Sequence, residues 1–178
     1  MHQPRIPYWQ AMKWVLRYLK GTVNHGLFYT PSHLQLHTYS ASDWAGNPDN
    51  KRSTSGYGVF LGNNLISWCS KKQTLVSRSS TEVEYRSMAL ATAELYWLRM
   101  LFKELAIGMF HIPTIWCDNI GAIALASNPV FHARTKHVEV DYHFIREKVC
   151  NNDIKIQHVS TIDQIANVFT KGQTAQRF

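Results

Sequence analysis

Three acids stand where an α/β chain does chemistry. Asp43 closes a strand-like run in SDWAG, Glu84 lies early in a long amphipathic stretch in STEVEY, and Asp118 follows a short apolar run in CDN. In open α/β sheets, functional groups gather at the carboxyl ends of strands, where the connection changes direction. If the runs ending at Asp43 and Asp118 are parallel neighbours, both carboxylates leave the same edge. A helix packed beside that edge would bring Glu84 to them. Three like charges in one place repel one another, and none of the three has a Lys or Arg next to it in sequence. A divalent cation is the natural countercharge, because Mg2+ takes carboxylate and water oxygens and is completed by phosphate. Two such ions about 4 Å apart activate a water and stabilise the leaving oxygen of a phosphodiester displacement. That is the chemistry of a metal-dependent nuclease. A single Asp at a strand end is more readily a cap or a solvated terminus, so the reading needs all three acids. Glu82 and Glu84 point about 200° apart on a helix, and spacing alone does not choose between them.

The elements that must position these groups follow from periodicity. Residues 34–43, 55–62 and 65–71 read as three strands, with Asn63 and Asn64 as a two-residue hairpin turn. Ser79, Ser80 and Thr81 are good N-cap types before a helix over 81–105, whose Tyr85, Met88, Ala89, Thr92, Leu95, Leu98, Phe102 and Leu105 keep a three/four spacing. Residues 112–117 form a short buried strand and 121–127 a small-residue helix stopped by Asn128-Pro129. Val138, Tyr142, Ile145 and Val149 mark another amphipathic helix, 154–159 a strand, and 162–171 a last helix. Ahead of all this, residues 7–20 form a helix with Trp9, Met12, Leu16 and Leu19 on one stripe, which needs a surface to lie on. A loose segment through Pro31 and Ser32 marks a boundary. Strands in a row suggest a meander, and strands separated by helices suggest parallel additions to it, giving a mixed α/β sheet with helices packed on it.

The chain has 178 residues, enough for one domain with a short extra piece. At 45% hydrophobic and 17% charged it is not disordered by composition. A net charge of +7 favours a polyanionic partner. Cys69, Cys117 and Cys150 have no paired spacing, which argues against a disulfide framework or a cysteine zinc knuckle. Lys13, Arg17 and Lys20 interrupt the apolar N-terminal stretch, so neither a secretory signal nor a membrane span is read there. The expected location is intracellular, cytoplasmic or nuclear, and not secreted.

Taken together, SDWAG with KRSTSGYGVFLG, then ISWCSKKQTLVSRSSTEVEY, then WCDNIGAIALASNPVFHARTKHVEVDYHFIREKV, and the closing DQIANVFTKG, resemble the ribonuclease H domain of copia-type LTR retrotransposon Pol polyproteins. The likeness runs from about residue 34 to 172. PYWQAMKWVLRYLKGTVNHGLFY resembles the tail of the preceding reverse transcriptase. The resemblance implies three segments: a polymerase tail over 1–32, a ribonuclease H-like domain over 33–172, and a C-terminal tail over 173–178. It implies a five-stranded mixed sheet ordered 3-2-1-4-5 and flanked by helices. The implied activity is endonucleolytic cleavage of the RNA strand of RNA–DNA hybrids. Two Mg2+ ions, with Mn2+ as a substitute, would be held by Asp43, Glu84 and Asp118, the acid directly before Tyr85 being the matched glutamate. The family carries Asp at a fourth position, filled here by Asn167, which keeps a carbonyl ligand and loses the negative charge. The resemblance therefore implies a weakened second ion and a weak or conditional nuclease. Its alternative is a catalytically silent nucleic-acid-binding remnant. Asp163 lies a helical turn before Asn167, about 5.4 Å, whereas metal–oxygen distances are held near 2 Å.

Hybrid recognition rests mainly on phosphate and 2′-hydroxyl contacts. The candidate cations are Lys51, Arg52, Lys71, Lys72, Arg78, Arg134 and Lys136, with Trp44 and Tyr57 placed to pack on sugars. The expected partners are an RNA–DNA hybrid and the polymerase part of the polyprotein, and no membrane. His132, His137 and His143 are spaced by five and six, which fits no zinc motif.

Overall fold

The computed structural model describes residues 5–108, 111–127 and 139–172. Its elements run α1 (Ile6–Gly21), β1 (Leu36–Ser42), β2 (Thr54–Leu61), β3 (Asn64–Lys72), α2 (Ser80–Glu104), β4 (Thr114–Cys117), α3 (Ile120–Ser127), α4 (Glu139–Cys150), β5 (Lys155–His158) and a closing 3-10 helix (Ile165–Phe169). The sheet is ordered β3-β2-β1-β4-β5. β1, β2 and β3 form an antiparallel meander, and β4 adds parallel to β1, then β5 parallel to β4. This is the mixed 3-2-1-4-5 sheet that the motifs imply.

The alternation in β1 does the sorting. Leu36, Thr38, Ser40 and Ser42 are buried, while His37 and Tyr39 between them are half-buried. His37 stacks on Phe60 and Tyr39 on Trp116, an aromatic layer across three strands. The main core lies between the sheet and the long helix, where Leu36, Val59, Met88, Leu95, Ile115 and Tyr142 pack together. α2 starts where its sequence says it should, with the Ser79 hydroxyl accepting from the Glu82 N–H at 3.2 Å. Its stripe is buried as spaced from Tyr85 to Leu98, but Leu105, just past the last turn, is 58% exposed.

Two expectations shift in detail. The β2–β3 turn is Gly62-Asn63, with Asn64 already paired to Leu61. Gly62 takes φ +58, the conformation that a two-residue hairpin asks of glycine at its first position. The closing segment is not a full helix but five residues of 3-10 helix. It is pinned at one end by Gln164, which donates to Ser40 O at 3.0 Å, and at the other by Ser70 Oγ, which donates to Phe169 O at 2.6 Å. A short span between fixed ends is where the tighter helix is used. α1 buries none of its residues, so Trp9, Met12, Leu16 and Leu19 are all more than 40% exposed. The connection after α1 is nevertheless tied down: Thr30 N–H donates to Asn64 Oδ1 and Asn64 Nδ2 donates to Thr30 O, both at 2.8 Å.

Candidate active site

β1 and β4 run parallel, so Asp43 and Asp118 follow their carboxyl ends on one edge of the sheet. α2 begins above that edge and presents Glu84 from its first turns. The link is direct, because the Ser42 N–H, one residue before Asp43, donates to Glu84 Oε1 at 3.0 Å. Glu84 is 9% exposed, and its other oxygen, Oε2, is buried without a hydrogen-bond partner among the described residues. Burial first, and the Asp118 charge second, push its pKa up to about 7, while the Ser42 bonds and the Lys171 ammonium pull it down. An orphaned buried oxygen beside a second carboxylate is an arrangement that a hard cation completes. Glu84, Cys117 and Asp118 bring one ligand atom each within 4.8 Å of one another. Burial pushes the Cys117 thiol up to about 12, the backbone bond to Asn119 opposing and both acids adding to the rise. It is a neutral thiol beside two oxygen donors, and Mg2+ takes the oxygens.

Asp43 stands at the same strand end but is not one of the ligand atoms gathered within 4.8 Å there. Its Oδ1 accepts from the Thr54 N–H, and its N–H donates to Thr54 O at 3.1 Å. Its Oδ2 lies where a Cβ on Gly46 would sit, so Gly46 is the residue that lets the SDWAG turn close over this carboxylate. Glu82 belongs elsewhere: its Oε1 pairs with Arg86 and its Oε2 caps the Arg78 N–H, both at 2.9 Å. The structure thus separates two glutamates that helix geometry leaves equivalent.

Asn167 is buried in the closing 3-10 helix. Its Nδ2 donates to Thr161 O at 3.3 Å, and its Oδ1 accepts from Lys171 Nζ at 3.0 Å. Asp163 is occupied with Ser160, whose hydroxyl donates to it at 2.6 Å. Gln164 Nε2 reaches Ser40 O and Trp116 O, which fastens this segment across β1 and β4.

Of the basic candidates, Lys71 and Lys72 end β3 on the same edge, paired with Ser55 and Thr54, and are exposed. Lys51 and Arg52 are exposed in the turn that leads into Thr54, a turn closed by Asn47, whose side chain accepts from the N–H groups of Asp49 and Asn50. Arg78 is exposed just before α2. Arg134 and Lys136 lie outside the described residues, as do His132 and His137. Trp44 is 58% exposed beside Asp43. Tyr57 is half-buried and packs partly against the core, with Glu94 and Cys69 as its charged or polar neighbours. A groove of about 440 Å3 lies next to Lys71 and Lys72, walled by Arg86, Leu90, Asp141 and Phe144.

Sequence spacing does not reveal the Ser42 N–H, the Thr54 N–H or Cys117 as members of this edge. Two are backbone groups without a sequence signature, and Cys117 precedes its acid by one residue. Lys171 was findable, being four residues from Asn167 at the end of the same segment.

No protein-family model matches the chain. It is 53% identical over 172 residues, 96% of its length, to the retrovirus-related Pol polyprotein from transposon RE2 of Arabidopsis thaliana. Over its whole length it is 37% identical to the corresponding polyprotein from transposon TNT 1-94 of Nicotiana tabacum. It spans only 12% and 13% of these relatives. Among solved structures it is similar to LC11-RNase H1 in complex with an RNA/DNA hybrid, with TM-score 0.56 and 11% identity over 76% of this chain and 94% of that one. It is likewise similar to the N-terminal RNase H domain of a Mycobacterium tuberculosis protein, with TM-score 0.54 and 12% identity over 77% and 91%. The sheet order, the helices that flank it and these two kinds of likeness agree: the chain matches one segment of the retrovirus-related Pol polyproteins of transposons and has the ribonuclease H fold.

Proposed function

We propose that this chain is a metal-dependent endonuclease of the polyprotein, cleaving the RNA strand of RNA–DNA hybrids. One observation carries the reading: Glu84 keeps a buried, unpartnered carboxylate oxygen next to Asp118 at the edge where two parallel strands end. Asp43, Glu84 and Asp118 are the residues that would hold Mg2+ or Mn2+, with Asn167 at the fourth position of the family's set. A bound divalent ion supplies an activated water and neutralises charge at the phosphorus. The chain's own part is positional. The Ser42 N–H fixes Glu84, the Thr54 N–H fixes Asp43, and β4 delivers Asp118. Lys51, Arg52, Lys71, Lys72 and Arg78 around the same edge would take the hybrid's phosphates, with Arg134 and Lys136 proposed as further contacts. The hybrid in the solved LC11-RNase H1 complex supports the substrate class.

Residues 33–172 are proposed as the nuclease unit, 1–32 as the end of the polymerase part, and 173–178 as a tail. The exposed apolar α1 fits a segment that lies against the polymerase. Among the described residues no helix is long and apolar enough to cross a membrane. Asn167, which carries no charge where the family has Asp, favours a second reading, a module that binds hybrid without cutting it. A hybrid labelled on either strand separates the two. Mg2+-dependent loss of the RNA label, with the DNA label intact, supports the enzyme. Salt-sensitive binding without cleavage supports the silent module, and neither binding nor cleavage sinks both.

A further inference from the structure

We propose that the Lys171 ammonium takes the place of the second cation at this site, so that the chain binds one divalent ion and not two. The proposal rests on the metal-site reading above and departs from the two-ion set that the motifs imply. It starts from the orientation of the Asn167 amide. Its nitrogen donates to Thr161 O and its oxygen accepts from Lys171 Nζ at 3.0 Å. Turning the amide over would set an NH2 against an ammonium and an oxygen against a carbonyl, so the two partners fix it one way. The oxygen that would serve an ion is therefore already committed to a cation.

The segment that holds this pair is fastened to the site's own strands. Gln164 bonds to Ser40 O on β1 and reaches Trp116 O on β4, and the residues from Ala166 to Thr170 press on Gly56 of β2, leaving no room for a Cβ there. Lys171 acts on Glu84 through space as a favourable positive charge. Charge counting agrees. When a bound ion keeps Asp43, Glu84 and Asp118 ionised, their three negative charges are balanced by one ammonium and one divalent ion. A second divalent ion would meet the ammonium without a fourth carboxylate to offset it.

The test is calorimetric titration of Mn2+ into the full metal-free chain, alongside Lys171→Met, Lys171→Arg, Glu84→Gln and the double variant Asn167→Asp/Lys171→Met. Thermal melts without metal check that each variant is folded. The expected result is one ion per wild-type chain, and one for Lys171→Arg, which keeps the charge. Lys171→Met should bind its ion about tenfold more tightly, because a positive charge that acts on Glu84 is gone. The double variant should bind two. Two ions on the wild type, or an unchanged affinity in Lys171→Met, would overturn the proposal and leave the metal site standing. No saturable binding by the wild type, or binding that Glu84→Gln leaves untouched, would overturn both.

Discussion

Glu84→Gln should make the metal-free protein more stable at neutral and alkaline pH while removing its metal site. The carboxylate is buried, one oxygen is orphaned, and its pKa is raised from 4.5 to about 7. Below pH 4.5 the side chain is protonated in both folded and unfolded chains and costs nothing. As pH rises towards 7 the unfolded chain releases the proton first, so the folded state is progressively penalised. Above 7 the penalty is complete. Moving the pKa from 4.5 to about 7, at about 1.36 kcal/mol per pH unit, sets a ceiling of roughly 3 kcal/mol. Glutamine keeps the acceptor for the Ser42 N–H and drops the charge. Urea unfolding in EDTA should therefore show the wild type losing up to about 3 kcal/mol between pH 4.5 and pH 8, relative to the variant. Mg2+ at a hundred times its Kd should return about 2.7 kcal/mol to the wild type at pH 8 and nothing to the variant. Parallel stability profiles for the two proteins from pH 4.5 to 8 would refute the burial argument.

Other consequences follow from the same geometry. Gly46→Ala places a Cβ on top of Asp43 Oδ2, so the carboxylate must swing away. Hybrid cleavage should fall about a hundredfold while the far-ultraviolet dichroism spectrum is kept. Lys71→Ala with Lys72→Ala should weaken hybrid binding at low salt and reduce the slope of log K against log salt by about 0.9 for each phosphate that is no longer neutralised, read by anisotropy titration at several salt concentrations. Met88→Ala opens the core under β1, since Met88 is fully buried. It should cost about 2–5 kcal/mol in denaturant unfolding.

What was legible in the sequence was the part written in periodicity and motif. The stripe from Tyr85 to Leu98 gave α2, and the three short runs gave the meander. The strand-end acids gave the edge, and resemblance supplied the strand order and chose Glu84 over Glu82. What was not legible depends on how separate segments meet. Asp43 faces Thr54 because an antiparallel neighbour offers an N–H there, a partner eleven residues away. The closing helix tightens to 3-10 because Gln164 and Phe169 are both tied to strands far off in sequence. Tyr57 looks like a surface aromatic by type, yet it is half-buried and packs partly against the core. The hairpin turn moved by one residue because glycine, rather than asparagine, took the left-handed position.

The most direct test of the central claim is cleavage of an RNA–DNA hybrid in Mg2+ by wild type and Asp118→Asn side by side, each confirmed to be folded. Cutting of the RNA strand by the wild type, with a fall of at least about a hundredfold in the variant, is the predicted result. Equal cutting by both proteins would contradict it.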